Sequence, residues 1–183
     1  INGVYVQYAH EALGNQISLT SNGELLFIGS GTPGFQAKYA ATIDFKILKF
    51  ENGDWVQKQE ILNIDRGSDI DCTPDGSRFV VIGKPSGNQM SNNAYVYDYN
   101  VSSNTLSLST ELVLENDFTT GGSQDLMCDI SHDGLTISLS SYRNKKVVVY
   151  KFYNGGWGAI TPTETQTATE TETATETETA TET

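Results

Sequence analysis

No apolar run in this 183-residue sequence approaches the roughly 18 residues that a membrane-crossing helix needs; the longest candidates, such as Val147 to Tyr150, are strand-sized. Insertion into a bilayer through a helix is thereby excluded. Helical periodicity is equally missing, since no segment carries a capped i, i+3, i+4, i+7 apolar stripe, and the chain reads as all-β. Histidine is scarce. His10 and His132 belong to neither a metal-ligand spacing nor a Ser-His-Asp arrangement. Bases are also few, 11 against 23 acids, for a formal charge of −12. Six of the acids are glutamates in the last 23 residues, so the body carries 17 acids against all 11 bases, or −6. Such a surface repels phosphate backbones and anionic lipid, which excludes nucleic acid and membrane surfaces as partners. Two cysteines, Cys72 and Cys128, do not define a redox compartment. A start at Ile1, with neither initiator Met nor signal-like stretch, suggests a processed chain or a fragment of a longer one, and secretion is an inference.

Repetition is what the sequence has in place of motifs. Three segments align: ISLTSNGELLFIGS from Ile17, IDCTPDGSRFVVIGK from Ile70 and CDISHDGLTISLSSY from Cys128. In each, an alternating strand runs into Asn22-Gly23, Asp75-Gly76 or Asp133-Gly134, dipeptides that supply the positive φ angles of a tight hairpin, and a second strand returns. A third, aromatic-rich strand follows at TIDFKILKF from Thr42, AYVYDYN from Ala94 and KVVVYKFY from Lys146. A fourth comes after a further turn, at DWVQKQEIL, TLSLSTELVL and GWGAI. Four antiparallel strands repeated every 50-odd residues predict β-propeller blades, each unable to bury both of its faces alone. A β-sandwich, with strands at similar spacing, is the competing architecture.

The units resemble FG-GAP-type repeats of integrin-α-like propellers. The likeness lies in a small-residue entry (Leu13-Gly14, Arg66-Gly67, Gly122-Ser123), the S-x-DG hairpin, a strand end at Val81 to Pro85, and the aromatic strand followed by a W-x-Q run that ends in Leu62. It covers nearly all of a predicted domain at 1–160. Calcium loops of D-x-D-x-D-G form are what the resemblance implies. Asp71-x-x-x-Asp75-Gly76 and Asp129-x-x-x-Asp133-Gly134 lack the middle carboxylate, leaving too few oxygens for Ca²⁺, so plain turns and no cofactor are expected. Three units plus a leading strand at Gly3 to Tyr8 make fewer blades than the roughly four to eight that close a propeller. The missing surface must come from elsewhere in the chain, a longer parent or a neighbouring subunit.

From residue 161 to 183 every odd position is threonine: Thr161, Thr163, Thr165, Thr167, Thr169, Thr171, Thr173, Thr175, Thr177, Thr179, Thr181 and Thr183. The even positions are Pro, Glu, Gln or Ala, so the segment has too little apolar area to offset the entropy of ordering. Thr-rich tracts with Pro read as O-glycosylated, mucin-like stalks, and these threonines are the expected sites. An unglycosylated acidic linker and a strand docked on an open sheet edge are the alternatives. Asn100-Val101-Ser102 is an N-glycosylation sequon in an expected loop.

Strand parity puts Cys72 and Cys128 on equivalent faces of successive blades, where they do not meet, so buried thiols are expected before a disulfide. Asp65, Asp69, Asp71, Asp125 and Asp129 lie near first strands, where propeller glycosidases gather their acids. With no linear catalytic motif, the expectation is that the chain is not an enzyme. Tyr95, Tyr97, Tyr99, Tyr150 and Phe152 are read as packing residues, with sugar stacking the lesser reading. The sequence therefore leads to a structural subunit of an extracellular, glycosylated fibre or surface appendage, self-associating as a homo-oligomer and adhesive in role. The alternative is a monomeric propeller that binds carbohydrate or protein from a glycosylated stalk.

Overall fold

The structure, a computed structural model, describes residues 13–30, 45–61, 64–85, 93–114, 126–142 and 144–160. Within them lie three four-stranded antiparallel sheets. The first holds β1 (Leu13–Leu19), β2 (Leu25–Ser30), β3 (Phe45–Glu51) and β4 (Asp54–Ile61). The second holds β5 (Ile64–Cys72), β6 (Arg78–Pro85), β7 (Asn93–Asn100) and β8 (Thr105–Val113). The third holds β9 (Leu126–Ile130), β10 (Thr136–Ser141), β11 (Lys146–Tyr153) and β12 (Gly156–Ile160). Each sheet is a meander in chain order. The leading strand expected at Gly3–Tyr8 and the Thr-rich tail lie outside the described residues.

The first hairpin of every blade is built alike, and differs from the tight two-residue turn expected. Only its glycine has positive φ: Gly23 at 71°, Gly76 at 72° and Gly134 at 67°. The turn is wider because a hydroxyl residue opens it. Thr20, Thr73 and Ser131 each accept, through the backbone carbonyl, the N–H of that glycine at 2.8–2.9 Å. Their hydroxyls donate to the Oδ1 of Asn22, Asp75 and Asp133 at 2.6–2.8 Å. The same Oδ1 atoms accept the N–H of Glu24, Ser77 and Leu135. These three turns are thus held by Asx side chains that satisfy the backbone locally. Two-residue turns with both φ positive occur instead at Asn52-Gly53 and Asn154-Gly155, joining the third and fourth strands of the first and third blades.

Period-two alternation decides the stacking. Blade one turns Leu25, Phe27, Phe45 and Ile47 toward Ile70, Cys72, Phe79 and Val81 of blade two, with Tyr95, Tyr97 and Tyr99 completing this core. Phe79 sits 4.8 Å from Phe27 and 5.3 Å from Tyr97, centroid to centroid. On the opposite face of the same strands, Val80, Ile82, Ala94 and Val96 meet Leu126, Cys128, Ile130, Ile137 and Leu139 of blade three. Residues adjacent in sequence therefore belong to different cores, as a sheet buried on both faces requires. Arg78 spans the second junction. Its Nε donates to Asp98 at 2.6 Å, its Nη1 to the Gly134 carbonyl at 3.0 Å, and its guanidinium lies over Phe152 and Trp157.

Candidate functional site

The first strands β1, β5 and β9 neighbour one another in turn, as the innermost strands of a propeller do. Each is the edge of its own sheet, so alternate N–H groups along it have no strand partner. For β9, carboxylates of the preceding blade supply acceptors. Asp69 Oδ2 accepts the N–H of Cys128 at 2.8 Å, and Asp71 Oδ2 accepts that of Ile130 at 2.9 Å. The other oxygen of Asp71 accepts the Ser18 hydroxyl at 3.0 Å, so this one side chain ties all three blades. Ser18 stands in blade one where Asp71 stands in blade two, and it also lies 3.2 Å from Cys72 Sγ.

Asp129, the counterpart of Asp71 in blade three, is exposed. Its carboxyl is held above the ordinary aspartate range by partial desolvation and then by the charge and hydrogen bond of Asp71. Desolvation raises Asp69 as well, against the lowering effect of the Cys128 N–H. Asp71 has both oxygens engaged, and Asp129 is the exposed member of this trio. Two aspartate carboxyls from different blades, one exposed and one with both oxygens engaged, thus face each other at the inner strands.

Of the acids singled out from sequence, Asp69, Asp71 and Asp129 come together, while Asp125 and the side chain of Asp65 lie outside the described residues. Asp75 and Asp133 spend their oxygens on their own turns, which hold both carboxyls below the usual range. Among the described residues no group of three or more His, Cys, Asp or Glu side chains is arranged to hold a metal ion. His132 is an exposed turn residue, and His10 lies outside the described residues. Cys72 and Cys128 are buried free thiols in different junctions. Burial pushes the Cys72 thiol up to about 11 and raises the Cys128 thiol as well. Tyr95, Tyr97 and Tyr99 are buried between blades, and so are withdrawn from sugar stacking. Asn100 is exposed at the end of β7, its Oδ1 accepting the N–H groups of Ser102 and Ser103. Thr161 through Thr183 lie outside the described residues. The acceptor role of Asp69 and Asp71 was not read from sequence; its signal was the exposed N–H groups that any edge strand must satisfy.

No protein-family model matches the chain, and no curated protein matches it in sequence. Solved structures do match, and they are β-propeller-like. A proposed 6-phosphogluconolactonase from Bacteroides uniformis is 15% identical, with 84% of this chain covering 40% of that one at a TM-score of 0.58. Another from Bacteroides fragilis is 11% identical, with 79% of this chain covering 36% of that one at 0.55. Sqt1 of Saccharomyces cerevisiae is 14% identical, with 83% covering 48% at 0.50. The described residues thus form three consecutive blades of a β-propeller-like fold. At such identities the likeness shows the fold alone, and the chain spans less than half the length of each of these structures.

One expectation is overturned by these neighbours, namely that the chain is not an enzyme. It rested on the lack of a linear catalytic motif. Two proteins described as 6-phosphogluconolactonases share this fold, and separate blades bring acids together without a linear motif, as β5 and β9 bring Asp71 beside Asp129.

Proposed function

We propose that the chain is a self-associating structural subunit of an extracellular, glycosylated assembly, with its blades as the packing unit and its Thr-rich segment as a sugar-bearing stalk. One observation carries the reading. Ile17 and Leu19 on the first blade are 63% and 54% exposed, and Met127 and Val147 on the third are 67% and 59% exposed. They lie on the sheet faces turned away from the two apolar cores, and on that face of blade one the third-strand residues Lys46 and Leu48 are buried. Apolar side chains ranked on a sheet face mark an association surface. Within propellers, the FG-GAP-type assignment is the finer part of the proposal, supported by the x-DG hairpins and the aromatic third strands. Light scattering of the purified chain across a hundredfold concentration range tests the assembly reading. Growth in mass with concentration is expected, and a single-chain mass throughout sinks it. Loss of sugar from the chain on β-elimination, mapped to Thr161–Thr183 and compared with enzymatic release at Asn100, tests the stalk.

A second reading is favoured by the Asp71–Asp129 pair: acid–base hydrolysis at the inner strands. The acids there repel a phosphorylated substrate, so a neutral glycoside or lactone is the class that fits. Turnover of a glycoside and lactone panel, lost in Asp129→Asn, is the supporting result. Turnover unchanged by that substitution discards this site.

A further inference from the structure

The sequon Asn100-Val101-Ser102 opens a turn that the fold holds still. Asn100 is the last residue of β7 and pairs with Thr105 of β8, while Val101 packs against the first core. The turn beyond it is pinned from two sides. The Tyr99 hydroxyl donates to Asn104 Oδ1 at 3.1 Å, and Gln59 of blade one donates to the Asn104 carbonyl at 2.5 Å. Within the turn, the N–H groups of Ser102 and Ser103 donate to Asn100 Oδ1 at 3.0 and 3.1 Å. Two donors on one atom fix which end of the amide is the oxygen. The other end, Nδ2, is the atom that carries sugar in N-linked glycosylation. It has no partner among the described residues and belongs to an exposed side chain.

The same side chain lines a groove of about 550 Å³ that is open to solvent. Asp98 and Asn100 alternate with the buried Tyr97 and Tyr99, so they lie on the face of blade two that meets blade three, past the end of the second core at Val96. Across from them on β8 stand Ser107 and Thr105, their partners in register, and the first hairpin adds Asp75 and Ser77. Hydroxyl and amide groups set at strand spacing, about 4.8 Å apart, suit the hydroxyl-bearing rim of a sugar ring. Arg78, the cation beside the groove, is already held by Asp98 at 2.6 Å. The carboxylates of Asp75 and Asp98 therefore repel an acidic sugar, and a neutral one is the class that fits. We propose that Asn100 is N-glycosylated and that the first sugars of the glycan lie in this groove against Thr105 and Ser107, instead of projecting into solvent. The linkage forms when Nδ2 displaces the diphosphate of a lipid-linked oligosaccharide. An N–C bond to the anomeric carbon is made, the C–O bond to the departing diphosphate is broken, and the amide gives up one proton to the transferase. Because the turn is already fixed, little further ordering of the protein is needed to seat the sugar.

This inference rests on the extracellular, glycosylated reading above and adds to it a defined attachment atom and a seat. The full chain, produced through the secretory pathway of a yeast, tests it. Ser102→Ala removes the sequon and leaves Asn100 in its turn, whereas Ser107→Trp fills the groove and leaves the sequon intact. Peptide masses should place a glycan at Asn100 in wild type and in Ser107→Trp, and none there in Ser102→Ala. An amidase that cleaves the sugar–asparagine bond reads the seating. Release is expected to be at least tenfold slower from native wild type than from the denatured chain, and Ser107→Trp should abolish that difference. Ser107→Ala, which adds no bulk and so keeps the fold, should reduce it at least threefold. Sugar on Thr161–Thr183 with Asn100 bare overturns the inference alone, and no sugar at either place overturns the glycosylated reading with it. A glycan at Asn100 that leaves native and denatured protein equally fast, or a difference that neither Ser107 variant reduces, also overturns the inference while the glycosylated reading stands.

Discussion

Asp129 and Asp71 descend from the same repeat position yet live in different surroundings. Asp71 is embraced by Ser18 and the Ile130 N–H, while Asp129 is left facing it as a like charge. A carboxyl whose folded-state pKa is raised binds its proton more tightly folded than unfolded. Its ionisation therefore opposes folding above that raised pKa, and the penalty vanishes below the unfolded value. Asp129→Asn should accordingly raise the thermal midpoint at neutral pH by about 1–3 °C, as expected for relief of an exposed like-charge contact. The gain should shrink to nothing as pH falls through the acid range, measured by melts of both proteins between neutrality and mild acid. A constant gain at all pH values would mean that charge is not its cause. The thiols make a second prediction at this scale. Burial holds both Cys72 and Cys128 protonated, so neither should react with a disulfide reagent in the native protein, and both should react in denaturant.

Among elements, the hairpins show how much was legible in sequence. Alternation and the recurring Asx-Gly pairs gave away the strands from β1 to β12, because period two and left-handed glycine are written locally. The width of the first hairpin was less plain, since Thr20, Thr73 and Ser131 carry ordinary strand residues' names and reveal their part only through hydroxyls bonded to an Asx two places on. Still less could be read of Gly76, which is constrained twice. Its φ is +72°, and a Cβ there would meet Leu25 Cδ1 at 2.6 Å and Thr20 Cγ2 at 2.8 Å on the preceding blade. Gly53, at φ +89°, has nothing within 4 Å. Gly53→Ala should cost about 1 kcal/mol for its backbone alone. Gly76→Ala should cost about 2–4 kcal/mol, because the junction must also give way. Denaturant titration of the pair separates the two effects, and equal losses would contradict the close approach.

At the scale of the whole molecule, the blades cohere by apolar stacking and by carboxylates that reach across to backbone. The candidate site was half visible for that reason. Asp71 stood out as an acid in a repeated place, but its partner is an N–H 59 residues away, and a backbone group leaves no mark in sequence. Asp71→Ala strips Ile130 of its acceptor, with an expected loss of about 1–3 kcal/mol. Hydrogen exchange should show it in particular places: the Ile130 amide exchanges faster, the rest of blade three loosens with it, and the second strands of blade one keep their protection. A uniform change over all blades would instead make the chain a single cooperative unit.

The carboxylate contact between inner strands has an evolutionary consequence, which follows from the chemistry of its two halves. The acceptor is a side chain that a gene must specify, whereas the donor is an amide present in every residue except proline. Blade two thus carries its own means of holding blade three and asks almost nothing particular of β9, whereas blade one has Ser18 in the place of Asp71. Exchange of blade three for another unit would leave Asp69 and Asp71 with amides to grip. Drift can then recolour one blade without requiring a matched change in its neighbour, and this accords with units that share a hydroxyl-x-Asx-Gly turn and little else.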